Sequence, residues 1–112
     1  MPELGDVVWL QFNPRAGHEQ AGLRPALVIS PRAYNQRVGL ALFCPVTSRV
    51  KGYPFEVLLP PGGQMEGCVL ADQIKSLDWR VRHATRIATV PAEVLDETLA
   101  RIFSLLDPGE VR

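Results

Sequence analysis

Three groups of polar residues stand out by side-chain type. His18, Glu19, Gln20 and Arg24 lie in and just after the segment NPRAGHEQAGL; Thr47, Ser48 and Lys51 follow the apolar run Leu40–Val46; Asp72, Gln73 and Lys75 follow Cys68–Ala71. An imidazole, a carboxylate, a hydroxyl and several cations suit metal-free phosphodiester cleavage, in which charge grows on the non-bridging oxygens and cations placed to meet it lower the barrier. Patterns for other chemistries are missing. Cys44 and Cys68 have no CxxC partner, and His18 and His83 lack ligand spacing, so no metal site is expected. No P-loop, dinucleotide glycine pattern or GxSxG elbow is present. Spacing alone does not bring the three groups together; the elements between them must.

Short apolar segments punctuated by Gly and Pro fill the first three quarters of the chain. Val7–Phe12 and Pro25–Ile29 read as strands, the second with Arg24 at its mouth, held extended by the following proline. Ser30–Arg37 has room for one helical turn. The continuous apolar run Leu40–Val46 suits a strand buried on both faces. Phe55–Leu59 and Cys68–Ala71 flank PPGGQMEG as the arms of a hairpin, and Ala84–Val90 reads as a last strand; Asp72–His83 carries no clear pattern. Pro91 then suits a first helical position, and Val94, Leu95, Leu99, Ile102, Phe103 and Leu106 recur at helical spacing until Pro108 and Gly109 end the helix. Strands followed by one helix predict a mainly β chain, a small, strongly curved β-barrel with the helix on its side. Residues 1–112 form one domain, without repeats or a linker.

At 112 residues, 46% apolar and 21% charged, the chain is too apolar for disorder and long enough to fold on its own core. No apolar stretch nears the ~20 residues that span a bilayer. With no signal peptide and both cysteines in apolar runs, the expectation is a soluble, cytoplasmic protein without disulfides. The net charge of zero is unevenly spread: Arg15 to Arg86 holds ten bases and five acids, or +5, and ten of the twelve bases in the chain are arginine, the side chain suited to forked phosphate contacts. Such a chain can present a positive face at neutral pI.

Three peptides carry a resemblance. Gly5-Asp6 with Trp9 and Phe12 leads to EQAGLRPALVIS (Glu19–Ser30); PVTSRVKGYPFEV (Pro45–Val57) and LADQIKSLDWR (Leu70–Arg80) follow in order and at matching intervals. From Gly5 to about Leu106 the chain resembles the MazF/PemK family of toxin endoribonucleases. The resemblance implies an SH3-like β-barrel with a C-terminal helix, a homodimer, and metal-independent cleavage of single-stranded RNA, leaving 2′,3′-cyclic phosphate and 5′-hydroxyl ends, with no cofactor. It also implies a cognate MazE-like antitoxin whose acidic, hydrophobic tail lies in the RNA groove, and an antitoxin-bound complex that binds operator DNA. Carried over by motif, Arg24 and Thr47 are catalytic, Glu19 is the acid of the loop before Arg24, and Phe12, Lys51 and Gln73 shape or contact the RNA groove.

Elementary chemistry assigns the roles unevenly. Arg24 is a phosphate clamp but a poor base, because a guanidinium holds its proton tightly. Glu19 is the better base for the 2′-OH, and Thr47 a neutral donor to a phosphate oxygen. His18 departs from the family's usual small polar residue; with a reference pKa of ~6.5 it could shuttle protons beside Glu19, or be a loop histidine without a role. Gln20, Ser48 and Lys75 complete the expected RNA contacts, Ser48 either backing up Thr47 or facing solvent. Tyr53 can stack on a base, Trp9 and Phe55 read as core, and Trp79 as an exposed anchor. Cys44 and Cys68 read as small buried residues, and the outer edge of the last helix as a place for a dimer contact. Two other readings stay open: a CcdB-like protein-binding toxin acting on DNA gyrase without RNA cleavage, and a catalytically silent RNA-binding module.

Overall fold

The computed structural model describes residues 1–12 and 22–107. Among them, the chain runs β1 (Asp6–Gln11), β2 (Leu23–Val28), α1 (Arg32–Val38), β3 (Leu40–Thr47), β4 (Glu56–Leu58), β5 (Cys68–Leu70), β6 (Lys75–Asp78), β7 (Thr85–Thr89) and α2 (Ala92–Leu106). Every strand pairing is antiparallel. The sheet follows the order β4-β5-β3-β2-β1-β7, with β6 beside β3. The protein is therefore mainly β with a C-terminal helix, as expected, although the described sheet is open rather than a closed barrel: β4 and β7 end the path without pairing with each other.

β3 organises this sheet. One edge pairs with β2. The other pairs with β6 over Leu40–Phe43 and then with β5 over Val46–Thr47. Pro45, which has no N–H, stands in the gap between those two partners, where that edge has no ladder to lose. Both faces of β3 are buried, as its continuous apolar run implies. Ala41 and Phe43 join Val8, Leu10, Ala26 and Val28 in one cluster. Cys44 and Val46 join Val7, Leu27, Val69, Val94 and Ile102 in the other. Each large aliphatic or aromatic side chain buried here is worth roughly 1.5–3 kcal/mol.

Several local expectations shift. α1 is a helix of 7 residues rather than one turn, and Gly39, at φ +83°, closes it in the left-handed conformation. Its buried Asn35 is a polar pin: Nδ2 donates to the carbonyls of Pro2 (2.9 Å) and Ser30 (3.1 Å), and Ser30 Oγ donates to Oδ1 (2.6 Å). Trp79 is an internal strut rather than an exposed anchor, half-buried against the second cluster with its Nε1 donating to the Asn35 carbonyl at 3.0 Å. Trp9, read as core, is 41% exposed, because its side of β1 outruns the cluster that covers Val7. Phe55 does pack on the first cluster. β6, four polar-rich residues without alternation, is held by its ladder to β3.

α2 begins at Ala92, so Pro91 is the cap and not the first helical residue. Val94, Thr98 and Ile102 are its buried face, whereas Phe103 and Leu106 at the edge of the apolar stripe are 68% and 69% exposed. Pro108 and Gly109 lie outside the described residues. No helix among the described residues is long and apolar enough to cross a membrane.

One glycine sets the distance between the β4–β5 hairpin and the end of β3. Gly67 has φ +111°, and a Cβ placed there would lie 2.0 Å from the Thr47 carbonyl oxygen and 2.8 Å from Ser48 Cα, both backbone atoms that cannot swing away. Gly67→Ala is expected to lower unfolding stability by at least about 2–3 kcal/mol through combined clash and backbone strain, measured as the shift in urea midpoint. The control Gly62→Ala, also at positive φ (+82°) but with nothing within 4 Å, should cost about 1 kcal/mol.

Candidate functional site

The register of β2 against β3 places the first pair. Val28 faces Phe43, Leu27 faces Cys44 and Ala26 faces Pro45. Continued two places outward, that register sets Arg24 across from Thr47, and directly opposed residues of an antiparallel pair share a face. Leu10, fully buried, faces Arg24 from β1 and floors this end of the sheet. Arg24 and Thr47 line one groove of about 630 Å³, together with Ser48, Arg49 and Glu66.

A second groove of about 580 Å³ meets the first at Thr47 and Arg49 and takes in Lys51, Tyr53, Glu56 and Gln73. Thr47 therefore sits at the junction. Its Oγ1 accepts a hydrogen bond from the Arg49 N–H at 3.1 Å. That bond fixes the hydroxyl and leaves its own proton to donate into the groove. Across the second groove, the Tyr53 hydroxyl donates to Asp72 Oδ2 at 3.0 Å, and the Tyr53 ring tilts against Phe55 at 6.1 Å. The hydrogen bond to Asp72, and then the charge of that carboxylate, push the Tyr53 phenol above its ordinary range. Glu56, only 9% exposed, accepts backbone N–H bonds from Lys51, Gly52 and Tyr53.

The structure thus brings Arg24, Thr47 and Ser48 into one groove, and Thr47, Lys51, Tyr53 and Gln73 into its neighbour. Phe12 packs half-buried on the second core cluster, its N–H bonded to the Gly22 carbonyl at 2.7 Å, at the Arg24 end of the sheet but lining neither groove. Lys75 stands exposed on β6 opposite Phe43, also outside both. His18, Glu19 and Gln20 lie outside the described residues. Arg49, Glu56 and Glu66 are groove residues that no sequence motif singles out, although Arg49's place two residues after Thr47 is a usable signal. Glu56 alternates with Phe55 and Val57 as an outward residue should, and is covered only because the preceding loop folds back over it.

Both cysteines are buried and free, as their apolar surroundings implied. Burial, with a smaller contribution from Asp72, pushes the Cys44 thiol to about 12; burial and then Glu56 push Cys68 up. Neither is a thiolate near neutrality. Among the described residues, no group of three or more His, Cys, Asp or Glu is arranged to hold a metal ion.

Residues 3–106 match the sequence model of a family described as PemK-like, MazF-like toxin of type II toxin-antitoxin system. The endoribonuclease toxin MazF of Escherichia coli (strain K12) is 48% identical over 106 residues, covering 95% of this chain and 95% of that protein. A crystal structure of MazF (Form-I) from Deinococcus radiodurans superposes with a TM-score of 0.84 at 58% identity, covering 94% of this chain and 96% of that one. A MazE-MazF (Form-II) structure from the same organism gives a TM-score of 0.83 at 52% identity, covering 94% of each chain. The likeness runs through both grooves and the whole described sheet, and the chain belongs to the PemK-like, MazF-like family of toxins of type II toxin-antitoxin systems.

Proposed function

We infer that this chain is an endoribonuclease toxin that cuts single-stranded RNA, including mRNA, at short sequence motifs without a metal. The observation that carries the reading is that Arg24 of β2 and Thr47 of β3 line one groove, which also holds Arg49 and adjoins Lys51. The endoribonuclease name of the relative from Escherichia coli favours it over gyrase binding.

In the reaction, the ribose 2′-OH attacks the adjacent phosphorus, its proton passing to a base, and the P–O5′ bond breaks as O5′ takes up a proton. The products are a 2′,3′-cyclic phosphate and a 5′-hydroxyl. Arg24 donates to the non-bridging oxygens as their charge grows, and Thr47 donates its free proton to one of them. Glu19 serves as the base for the 2′-OH, with His18 next to it in the chain as a second proton carrier or a loop residue without a role. Lys51, Tyr53, Gln73 and Ser48 hold the RNA on either side of Thr47, with Lys75, Phe12 and Gln20 extending the path.

The solved MazE-MazF relatives support a MazE-like antitoxin as partner. Its acidic tail would take the groove by presenting carboxylates to Arg24 and Lys51. A homodimer would cover the apolar cleft of about 690 Å³ between the sheet and α2, where Ile74, Phe103 and Leu106 are exposed. The toxin–antitoxin complex would bind operator DNA, and the site of action is the cytoplasm.

Purified protein incubated with a long single-stranded RNA in EDTA should give discrete cuts with 5′-hydroxyl ends. Arg24→Ala should lose roughly 10²–10³-fold in kcat, the usual effect of removing one donor to a developing oxyanion. Uncut RNA across a wide range of sequence, with gyrase inhibited instead, would overturn the ribonuclease reading. In the same assay Thr47→Val, which keeps shape and removes the donor, should slow cleavage by about 10- to 100-fold without moving the cut positions.

A further inference from the structure

Glu56 is badly placed for a surface that binds a polyanion. It lines the groove with Lys51, Tyr53 and Gln73, where a carboxylate would repel phosphate. Its oxygens, however, face the chain. Oε1 accepts from the N–H groups of Lys51 (3.1 Å), Gly52 (2.9 Å) and Tyr53 (3.3 Å), and Oε2 accepts again from Lys51 (3.1 Å). Consecutive N–H groups converge in this way only where the backbone turns sharply, and Gly52 supplies the turn at φ +83°. The carboxylate is thus screened by the donors that it gathers, three of them on Oε1.

Among the described residues, the segment between β3 and β4 makes few other bonds. Arg49 N–H reaches Thr47, the Glu56 N–H reaches the Tyr53 carbonyl, the Ala71 N–H reaches the Phe55 carbonyl, the Tyr53 hydroxyl reaches Asp72, and Arg101 of α2 donates to the Pro54 carbonyl. None of these fixes the backbone of Lys51 or Gly52; Glu56 does. We propose that Glu56 is a positioning residue for RNA binding, folding Lys51–Tyr53 into a rigid turn that sends the Lys51 ammonium and the Tyr53 ring into the groove beside Thr47. The proposal rests on the ribonuclease reading and adds to it the element that sets the second groove before substrate arrives. Pre-organisation of this kind lowers the ordering cost of binding.

The test compares wild type, Glu56→Gln, Lys51→Ala, the Glu56→Gln/Lys51→Ala double variant and Gly52→Ala. It measures kcat and KM on an RNA carrying a mapped cut site, and affinity for the 2′-O-methyl form of the same oligonucleotide over a range of salt. Glu56→Gln should raise KM about tenfold while kcat falls less than threefold. It should also flatten the log–log salt slope by about 0.7, the share of one phosphate contact on a single strand, as Lys51→Ala does. In the Lys51→Ala background, Glu56→Gln should add less than twofold. Gly52→Ala should reproduce the KM and slope effects: alanine disfavours φ +83°, yet its Cβ would meet nothing within 4 Å, so the core is untouched and the result stands even if Glu56→Gln folds poorly. A wild-type KM and salt slope in Gly52→Ala, full multiplicative effects in the double variant, or a collapse of kcat with a shifted pH profile would each overturn the proposal. Failure of the wild type to cut RNA would overturn the ribonuclease reading separately, while the binding arm would still report on the turn.

Discussion

The site depends on one strand having three neighbours. β3 is bonded along one edge to β2 as far as Pro45 and along the other to β6 and then β5, so its last residue is held by β5 just beyond the β2 ladder. Thr47 is that last residue. It shares a groove with Arg24, faces Cys68 on β5, and is approached by the Gly67 backbone, where only a missing Cβ lets the hairpin close. A hydroxyl on a free loop would need ordering at each encounter with substrate. Here the sheet has already done it during folding, at the expense of a core that must be packed on both faces of β3.

Charge in the grooves is arranged by the same logic of prior commitment. Arg24, Arg49 and Lys51 are cations on groove walls, and the acids beside them differ in how their charge is met. Glu56 is answered by backbone donors, and Asp72 by the Tyr53 hydroxyl on one oxygen, its other oxygen having no hydrogen-bond partner among the described residues. A neutral net charge for the chain therefore coexists with a locally positive surface, because some of the acids are turned inward onto the protein's own N–H and O–H groups.

Much of this was legible in the residues themselves. The apolar run of β3, the proline after Arg24 and the glycine-rich hairpin connection each encode a local conformation, and their strands lie within a residue or two of where pattern placed them. The motif carrying Arg24 and the one carrying Thr47 were readable as peptides, and their meeting follows from a short antiparallel register. What failed were properties set by distant neighbours. Trp9 alternates like a core residue, but the extent of the core beneath it depends on β7 and α2. β6 has no alternation to detect, since it exists by pairing with β3. Glu56 reads as a solvent acid until the loop before it is seen to fold back onto it.

The junction at Thr47 has a consequence for how a long ligand is held. On the proposed reading, an RNA strand lying in both grooves would be anchored on each side of the same hydroxyl and would behave as a bivalent ligand. Release of one half would leave the other bound, and the loose half would return at high effective concentration before the whole dissociated. The group at the centre would then be the last to be vacated, whichever end frayed first.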